Sequence, residues 1–205
     1  MKVNKYIKIL GSTALEKYYN DPNGNIYFAY KGEDTYQVVK YFLENYLGNI
    51  VIDADGLNAL SKYGVDILKN KKCKCVLTPH IKEFARLIGK TVEQVNNSPI
   101  ELAKTFAKEY GVVLVLKSAT TIVTDGERVV LSLSGTPAMA KGGSGDILSG
   151  FTAGLLARSN DIFKVGYTAP FVLGKAGELA VKEKGEYCMI ATDEINKIPQ
   201  AIKLL

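Results

Sequence analysis

Long apolar runs are missing from this chain. No stretch approaches the roughly 20 apolar residues that cross a bilayer, so no membrane partner is expected. Met1 to Leu10 alternates lysine with apolar residues and lacks the continuous apolar core of a secretory signal. The expected compartment is the cytoplasm. Cysteine is scarce: Cys73, Cys75 and Cys188 are the only three, and they show neither zinc-site spacing nor an extracellular disulfide pattern. Cys73 and Cys75 stand two apart beside a strand, where alternate side chains share a face, and are expected as buried free thiols. Internal repeats, low-complexity tracts, helix-turn-helix patterns and zinc-finger spacings are absent as well. The net charge of +5 comes almost entirely from scattered lysines. That distribution fits a solvated surface rather than a nucleic-acid footprint, and it attracts small polyanions such as nucleotides.

What is present is enough for a sizeable core. Of 205 residues, 47% are hydrophobic and 23% charged, which predicts one domain over residues 1–205, with an atypical, shortened part at 1–32. Strand-like and helix-like segments alternate, the pattern of an α/β fold with a largely parallel sheet flanked by helices. Strands are predicted at 25–30, 50–53, 75–78 and 112–117, with a hairpin formed by 120–124 and 128–134 around Asp125-Gly126. Helices are predicted from Asp34 to about Leu47, from Ser98-Pro99 to Gly111, from about Ser144 to Arg158, and from about Asp161 to Lys184 with a kink at Pro170. Thr192 is expected to cap the last helix. Asp21-Pro22-Asn23-Gly24 reads as a turn.

The stretch Gly135-Thr136-Pro137-Ala138-Met139-Ala140-Lys141-Gly142-Gly143-Ser144-Gly145-Asp146 carries the most chemistry. Its glycines let backbone N–H groups approach a ligand, and the helix that follows adds unpaired donors and partial positive charge. Together they form an anion hole suited to phosphate. The stretch is neither a dinucleotide fingerprint, since Leu148 occupies the third glycine position, nor a P-loop. Asp146 can stabilise the helix start, and it can also take a proton from a hydroxyl that attacks phosphorus; the two roles are compatible.

Residues 135–157 closely resemble the signature of the ADP- or ATP-dependent NAD(P)H-hydrate dehydratases, a branch of the ribokinase-like superfamily. Four further segments occur in the family's order. They are Val51-Ile52-Asp53-Ala54-Asp55-Gly56-Leu57-Asn58-Ala59-Leu60; Leu77-Thr78-Pro79-His80 with Glu83; Leu116-Lys117-Ser118-Ala119-Thr120-Thr121; and Gly185-Glu186-Tyr187 leading to Ala191-Thr192-Asp193. The resemblance spans roughly residues 33–200. It implies a ribokinase-like fold and repair of hydrated NADH or NADPH. The ring hydroxyl is phosphorylated by ADP or ATP with Mg2+, and phosphate is then eliminated.

By position, the resemblance makes Asp146 the catalytic acid–base residue. Lys117, Ser118, Ala119, Thr120 and Thr121, with Gly142, Gly143, Ser144 and Gly145, become nucleotide contacts. His80, Asp53, Asn58 and Asp146 become substrate contacts, and Glu83 an organiser of magnesium. Without the resemblance, His80 reads equally as a cap of the next helix, Asp53 and Asp55 as cap and turn residues, and Glu83 as a surface helix acid.

The family opens with a complete strand–turn–helix unit and a further strand. Here Ile7–Leu10 with Gly11-Ser12, and Asn25–Tyr30 with Lys31-Gly32, match it faintly, and most of the first βαβ unit is missing. No substrate contact is placed on Gly11, Ser12 or Gly32. A second copy of the chain or a partner chain is expected to complete the substrate side. Two other readings compete: a kinase acting on a vitamin-like alcohol, and a non-catalytic nucleotide-binding protein.

Overall fold

The computed structural model describes residues 7–10, 19–20, 26–27 and 33–204, with side chains from residue 35 onward. In chain order its strands are β1 (Ile7–Leu10), β2 (Tyr19–Asn20), β3 (Ile26–Tyr27), β4 (Asn49–Ile52), β5 (Lys74–Leu77), β6 (Val113–Leu116), β7 (Thr121–Thr124) and β8 (Val129–Ser132). The helices are α1 (Glu33–Asn45), α2 (Ala54–Tyr63), α3 (Ile81–Leu87), α4 (Val92–Asn97), α5 (Pro99–Tyr110), α6 (Ser144–Leu156), α7 (Ile162–Lys184) and α8 (Ala191–Ile202), with 3-10 turns at Val65–Asn70 and Pro137–Met139.

The main sheet has the order β1-β4-β5-β6-β7-β8. β1, β4, β5 and β6 run parallel, and β7 and β8 add antiparallel. The expected parallel neighbours 50–53, 75–78 and 112–117 are therefore β4, β5 and β6, and the expected hairpin is β7–β8. β2 and β3 pair antiparallel in a separate small sheet. Of the expected strand at 25–30, only Ile26–Tyr27 falls among the described residues. The turn at 21–24 and Gly11, Ser12 and Gly32 lie outside them.

The parallel strands are apolar on both faces because helices cover both. Ile50, Ile52, Cys75, Leu77, Leu114 and Leu116 face the layer made by α1 to α5. The alternate residues Val51, Val76, Val113 and Val115 face α6 and α7. This period of two is the strand geometry itself. Cys73 and Cys75 lie on the first of these faces as buried thiols, their Sγ atoms 3.5 Å apart.

Several boundaries differ from the sequence reading. α1 already includes Glu33, so Asp34 sits inside the first turn rather than ahead of it. Ser98 precedes α5, yet its hydroxyl makes no capping bond, and Pro99 sets the helix start. Gly111 closes α5 in the left-handed conformation, as expected. α7 runs through Pro170 without ending, and Asp161 caps its start by accepting the Lys164 N–H at 3.0 Å. The cap assigned to Thr192 belongs elsewhere. α8 begins at Ala191, and the Asp193 carboxylate takes the Ile190 N–H at 2.9 Å, so the side chain one residue further on satisfies the open donor. Among the described residues, no helix is long and apolar enough to cross a membrane.

Candidate functional site

Parallel strands bring their carboxyl ends together, and there the loops of an α/β sheet build ligand sites. β4 runs into Asp53, β5 into Pro79 and His80, and β6 into Lys117. The backbone of Lys117 extends the sheet by a parallel bridge to His80, with its N–H donating to the Pro79 carbonyl at 2.8 Å. The Lys117 ammonium reaches across β5 to Asp53, where Nζ lies 3.0 Å from Oδ1. The other Asp53 oxygen accepts the Ser149 hydroxyl at 2.6 Å. Asp53 is buried with both oxygens occupied, and the next residue, Ala54, turns the chain into α2 at φ +45°. That left-handed conformation is uncommon for a residue with a Cβ and belongs with tightly determined backbone.

The glycine-rich turn arrives at this ion pair from the opposite side. Gly143 has φ +97°, and a Cβ there would stand 2.9 Å from Ala191 Cβ; glycine meets both demands. α6 starts one residue later. A Cβ on Gly145 would lie 3.6 Å from Lys117 Nζ and 3.9 Å from Asp53 Oδ2. The first turn of α6, with its unpaired N–H donors, is thus set directly over the lysine. Ser149 stands one helical turn beyond Gly145, whose carbonyl it also reaches at 3.1 Å, and it ties α6 to β4 through Asp53. Asp146 is exposed in the first turn of α6 and makes no hydrogen bond or ion pair with any described residue.

The start of α8 supports the turn from behind. Lys141 donates its ammonium to the Met189 carbonyl. Ser144 donates its hydroxyl to Glu194 Oε1 at 2.7 Å. Glu194 is wholly buried, and burial pushes its carboxyl above the usual glutamate range, against the opposing Ser144 bond and the Lys141 charge. Its neighbour Asp193 is held below the usual range, first by the Ile190 N–H and then by Lys184, 2.7 Å away.

The remaining expected site residues fall into two groups. Ser118, Ala119 and Thr120 follow Lys117 directly and form the turn into β7, exposed at Ser118 and Ala119, with the Ser118 hydroxyl donating to the Thr120 carbonyl at 2.5 Å, and Thr121 is the half-buried first residue of β7. His80 and Glu83 form a reciprocal cap on α3. His80 Nδ1 accepts the Glu83 N–H at 3.1 Å, and Glu83 Oε2 accepts the His80 N–H at 2.8 Å. His80 remains half exposed while Glu83 is buried, so Glu83 is not a surface acid. Asn58 is exposed on α2 and accepts from the Arg86 guanidinium at 2.8 Å. No group of three or more His, Cys, Asp or Glu placed to hold a metal ion occurs among the described residues.

Sequence reasoning missed Ser149, Lys141 and Glu194. Ser149 was within reach, because a residue four after Gly145 shares its helix face. Glu194 carried no signal, since an acid in the first turn of a helix ordinarily serves the helix dipole in solvent.

Comparison with known proteins agrees with this geometry. Residues 31–200 match the family model described as NAD(P)H-hydrate dehydratase. A bifunctional NAD(P)H-hydrate repair enzyme of Hyperthermus butylicus is 43% identical over 157 residues, covering 75% of this chain and 28% of its own length. An ADP-dependent (S)-NAD(P)H-hydrate dehydratase of Nitrosopumilus maritimus is 36% identical over 146 residues, 71% of this chain and 50% of the relative. The chain thus spans half or less of these relatives. The crystal structure of the ADP/ATP-dependent NAD(P)H-hydrate dehydratase of Bacillus subtilis, co-crystallised with ATP and Mg2+, superposes with a TM-score of 0.75 at 28% identity, covering 84% of this chain and 60% of that one. With strands, turn and matched sequence in agreement, the chain belongs to the NAD(P)H-hydrate dehydratase family.

Proposed function

We propose that this chain dehydrates hydrated NADH or NADPH at the expense of ADP or ATP, in the cytoplasm. The observation that carries the reading is the placement of Gly145 over Lys117, which joins a helix N-terminus to a fixed ammonium at the ends of the parallel strands. A helix start and a lysine together suit a nucleotide phosphate. In this reading the phosphates lie against Gly142, Gly143, Ser144 and Gly145. Lys117 supplies charge, and Ser118 to Thr121 border the nucleoside.

Asp146 is the exposed, unengaged carboxylate beside that turn. It accepts the proton of the substrate's ring hydroxyl as the oxygen attacks the terminal phosphorus and the P–O bond to the nucleotide breaks. Phosphate then leaves with the C–O electron pair as the ring nitrogen pushes electrons in, and the iminium so formed releases a proton from the neighbouring ring carbon to water, which forms the C=C bond and returns the nitrogen lone pair. His80, half exposed next to Lys117, and Asn58 on α2 contact the hydrated ring. Asp53 acts through Lys117, because both its oxygens are engaged inside the protein.

The residues fit magnesium that arrives on the nucleotide, since Mg2+ is commonly held by one or two carboxylates together with substrate phosphates. Glu83 would contribute through its oxygens at the α3 cap, and the ion would offset charge on the transferring phosphoryl group.

The test is turnover of hydrated NADH with ADP or ATP and Mg2+, read by the return of nicotinamide absorbance. Activity with either nucleotide is expected. Absence of nucleotide binding by well-folded protein would refute the reading.

A further inference from the structure

The glycine-rich turn rests on a buried acid that the reaction itself does not use. Glu194 has no exposed surface. Its Oε1 accepts the Ser144 hydroxyl, while its Oε2 is buried with no hydrogen-bond partner. A carboxylate with one oxygen unsolvated and unpaired is costly, and the common resolution is to keep the proton. Ser144 is the first residue of α6, so this acid lies directly behind the donors proposed to meet phosphate. Two neighbouring contacts fix the same arrangement: the Lys141 ammonium on the Met189 carbonyl, and the close approach of Gly143 to Ala191.

We propose that Glu194 is a positioning residue for the nucleotide site: as a neutral acid it anchors Ser144, and ionising it weakens nucleotide binding by placing a negative charge behind the phosphate-binding turn. This inference rests on the nucleotide reading given above. The electrostatic surroundings fit it. Burial raises the Glu194 carboxyl, and the Ser144 hydroxyl and Lys141 act the other way. From α7, Lys184 and Glu183 face α8, but they are engaged by Asp193 and Lys197. Within α8, Asp193 is already committed to the Ile190 N–H and Lys184. Asp146, from α6, points to solvent. Lys141 is therefore the one cation among these groups left to act on Glu194, and its ammonium is bonded to a carbonyl.

Glutamine provides a permanently neutral replacement of the same shape. Its carbonyl still accepts from Ser144, and its amide replaces the unpartnered oxygen. The experiment is calorimetric titration of ADP with Mg2+ into the full chain and into Glu194→Gln, at about pH 5.5 and about pH 8.5. Comparing the two proteins at each pH cancels the nucleotide's own ionisation. The ratio of wild-type to variant Kd is expected near one at the lower pH and about tenfold at the higher, within the usual range of site-to-site coupling. A ratio that does not change with pH would overturn the proposal and leave Glu194 as a structural prop. Weaker binding by the variant at the lower pH would overturn it too. Ser144→Ala offers a second route should the glutamine variant fold poorly. It is expected to weaken ADP binding severalfold at the lower pH, and unchanged affinity would remove the anchoring role. A wild type that binds no ADP at either pH defeats the nucleotide reading and this inference with it. A wild type that binds with a constant ratio defeats this inference alone.

Discussion

Lys117 and Asp53 form an ion pair across the carboxyl ends of two strands that are not neighbours, β6 and β4, with β5 between them. The acid is buried and the ammonium largely so. Removing one member leaves an uncompensated charge, which typically costs about 3–5 kcal/mol. Asp53→Ala should therefore lower unfolding stability by about 3 kcal/mol in urea melts, since Ser149 also loses the shorter of its two acceptors. Lys117→Met should cost at least as much, because it leaves the more deeply buried Asp53 carboxylate with only the Ser149 hydroxyl, and it should abolish ADP binding in calorimetry. Retention of affinity by Lys117→Met would move the phosphate site elsewhere.

In the proposed mechanism Asp146 serves chemistry rather than binding. Asparagine keeps its size and its compatibility with a helix start, but it cannot accept the proton. Turnover of hydrated NADH by Asp146→Asn should fall by about 10² to 10⁴ while ADP affinity stays within about threefold. Equal rates for variant and wild type would take Asp146 out of the mechanism.

The two glycines of the turn should respond differently. Gly143→Ala forces a Cβ into a left-handed residue and against Ala191, so a loss of about 2 kcal/mol is expected along with weaker ADP binding. Gly145→Ala meets only ordinary contact distances and should fold with near-normal stability. Thermal melts of the two variants side by side decide the point. Similar stabilities would mean that the turn relaxes.

Glu194 also predicts a pH dependence of stability. Burial holds its proton to a higher pH in the folded chain than in the unfolded one. Between those two values the folded state binds more protons, so stability falls as pH rises through the interval and levels off above it. Glu194→Gln lacks this loss. The melting temperature of the variant relative to wild type should climb as pH rises above the ordinary glutamate range and then level off. A constant difference would show that the carboxyl titrates alike in both states.

β4, β5 and β6 were legible in the sequence because each is apolar at every central position, the mark of a strand covered on both faces. The turn from Gly142 to Asp146 was legible because closely spaced glycines before a helix have few other uses. α2 was hidden for the opposite reason. It follows β4 with no connecting loop, and its entry depends on Ala54 at a positive φ that no propensity suggests. The histidine cap of α3 was legible, since the position of His80 after Thr78-Pro79 already suggested it, although histidine is an unusual choice beside the common Ser, Thr, Asp and Asn. Thr192 and Asp193 are both capping types, and only the position of the open Ile190 N–H decides between them. Ser149 could be placed on the Gly145 face of α6, but its bond to Asp53 spans 96 residues and that of Glu194 to Ser144 spans 50, distances that pattern reading along the chain does not cross.

The support that α8 gives the turn also bears on the order of assembly during translation. The strands and the glycine-rich segment leave the ribosome before α8, at roughly 5–20 residues per second. For those seconds Gly143 has no Ala191 to pack against and Ser144 has no acceptor. The nascent protein can thus hold a finished sheet while its glycine-rich turn is still loose, and the docking of α8 completes the turn.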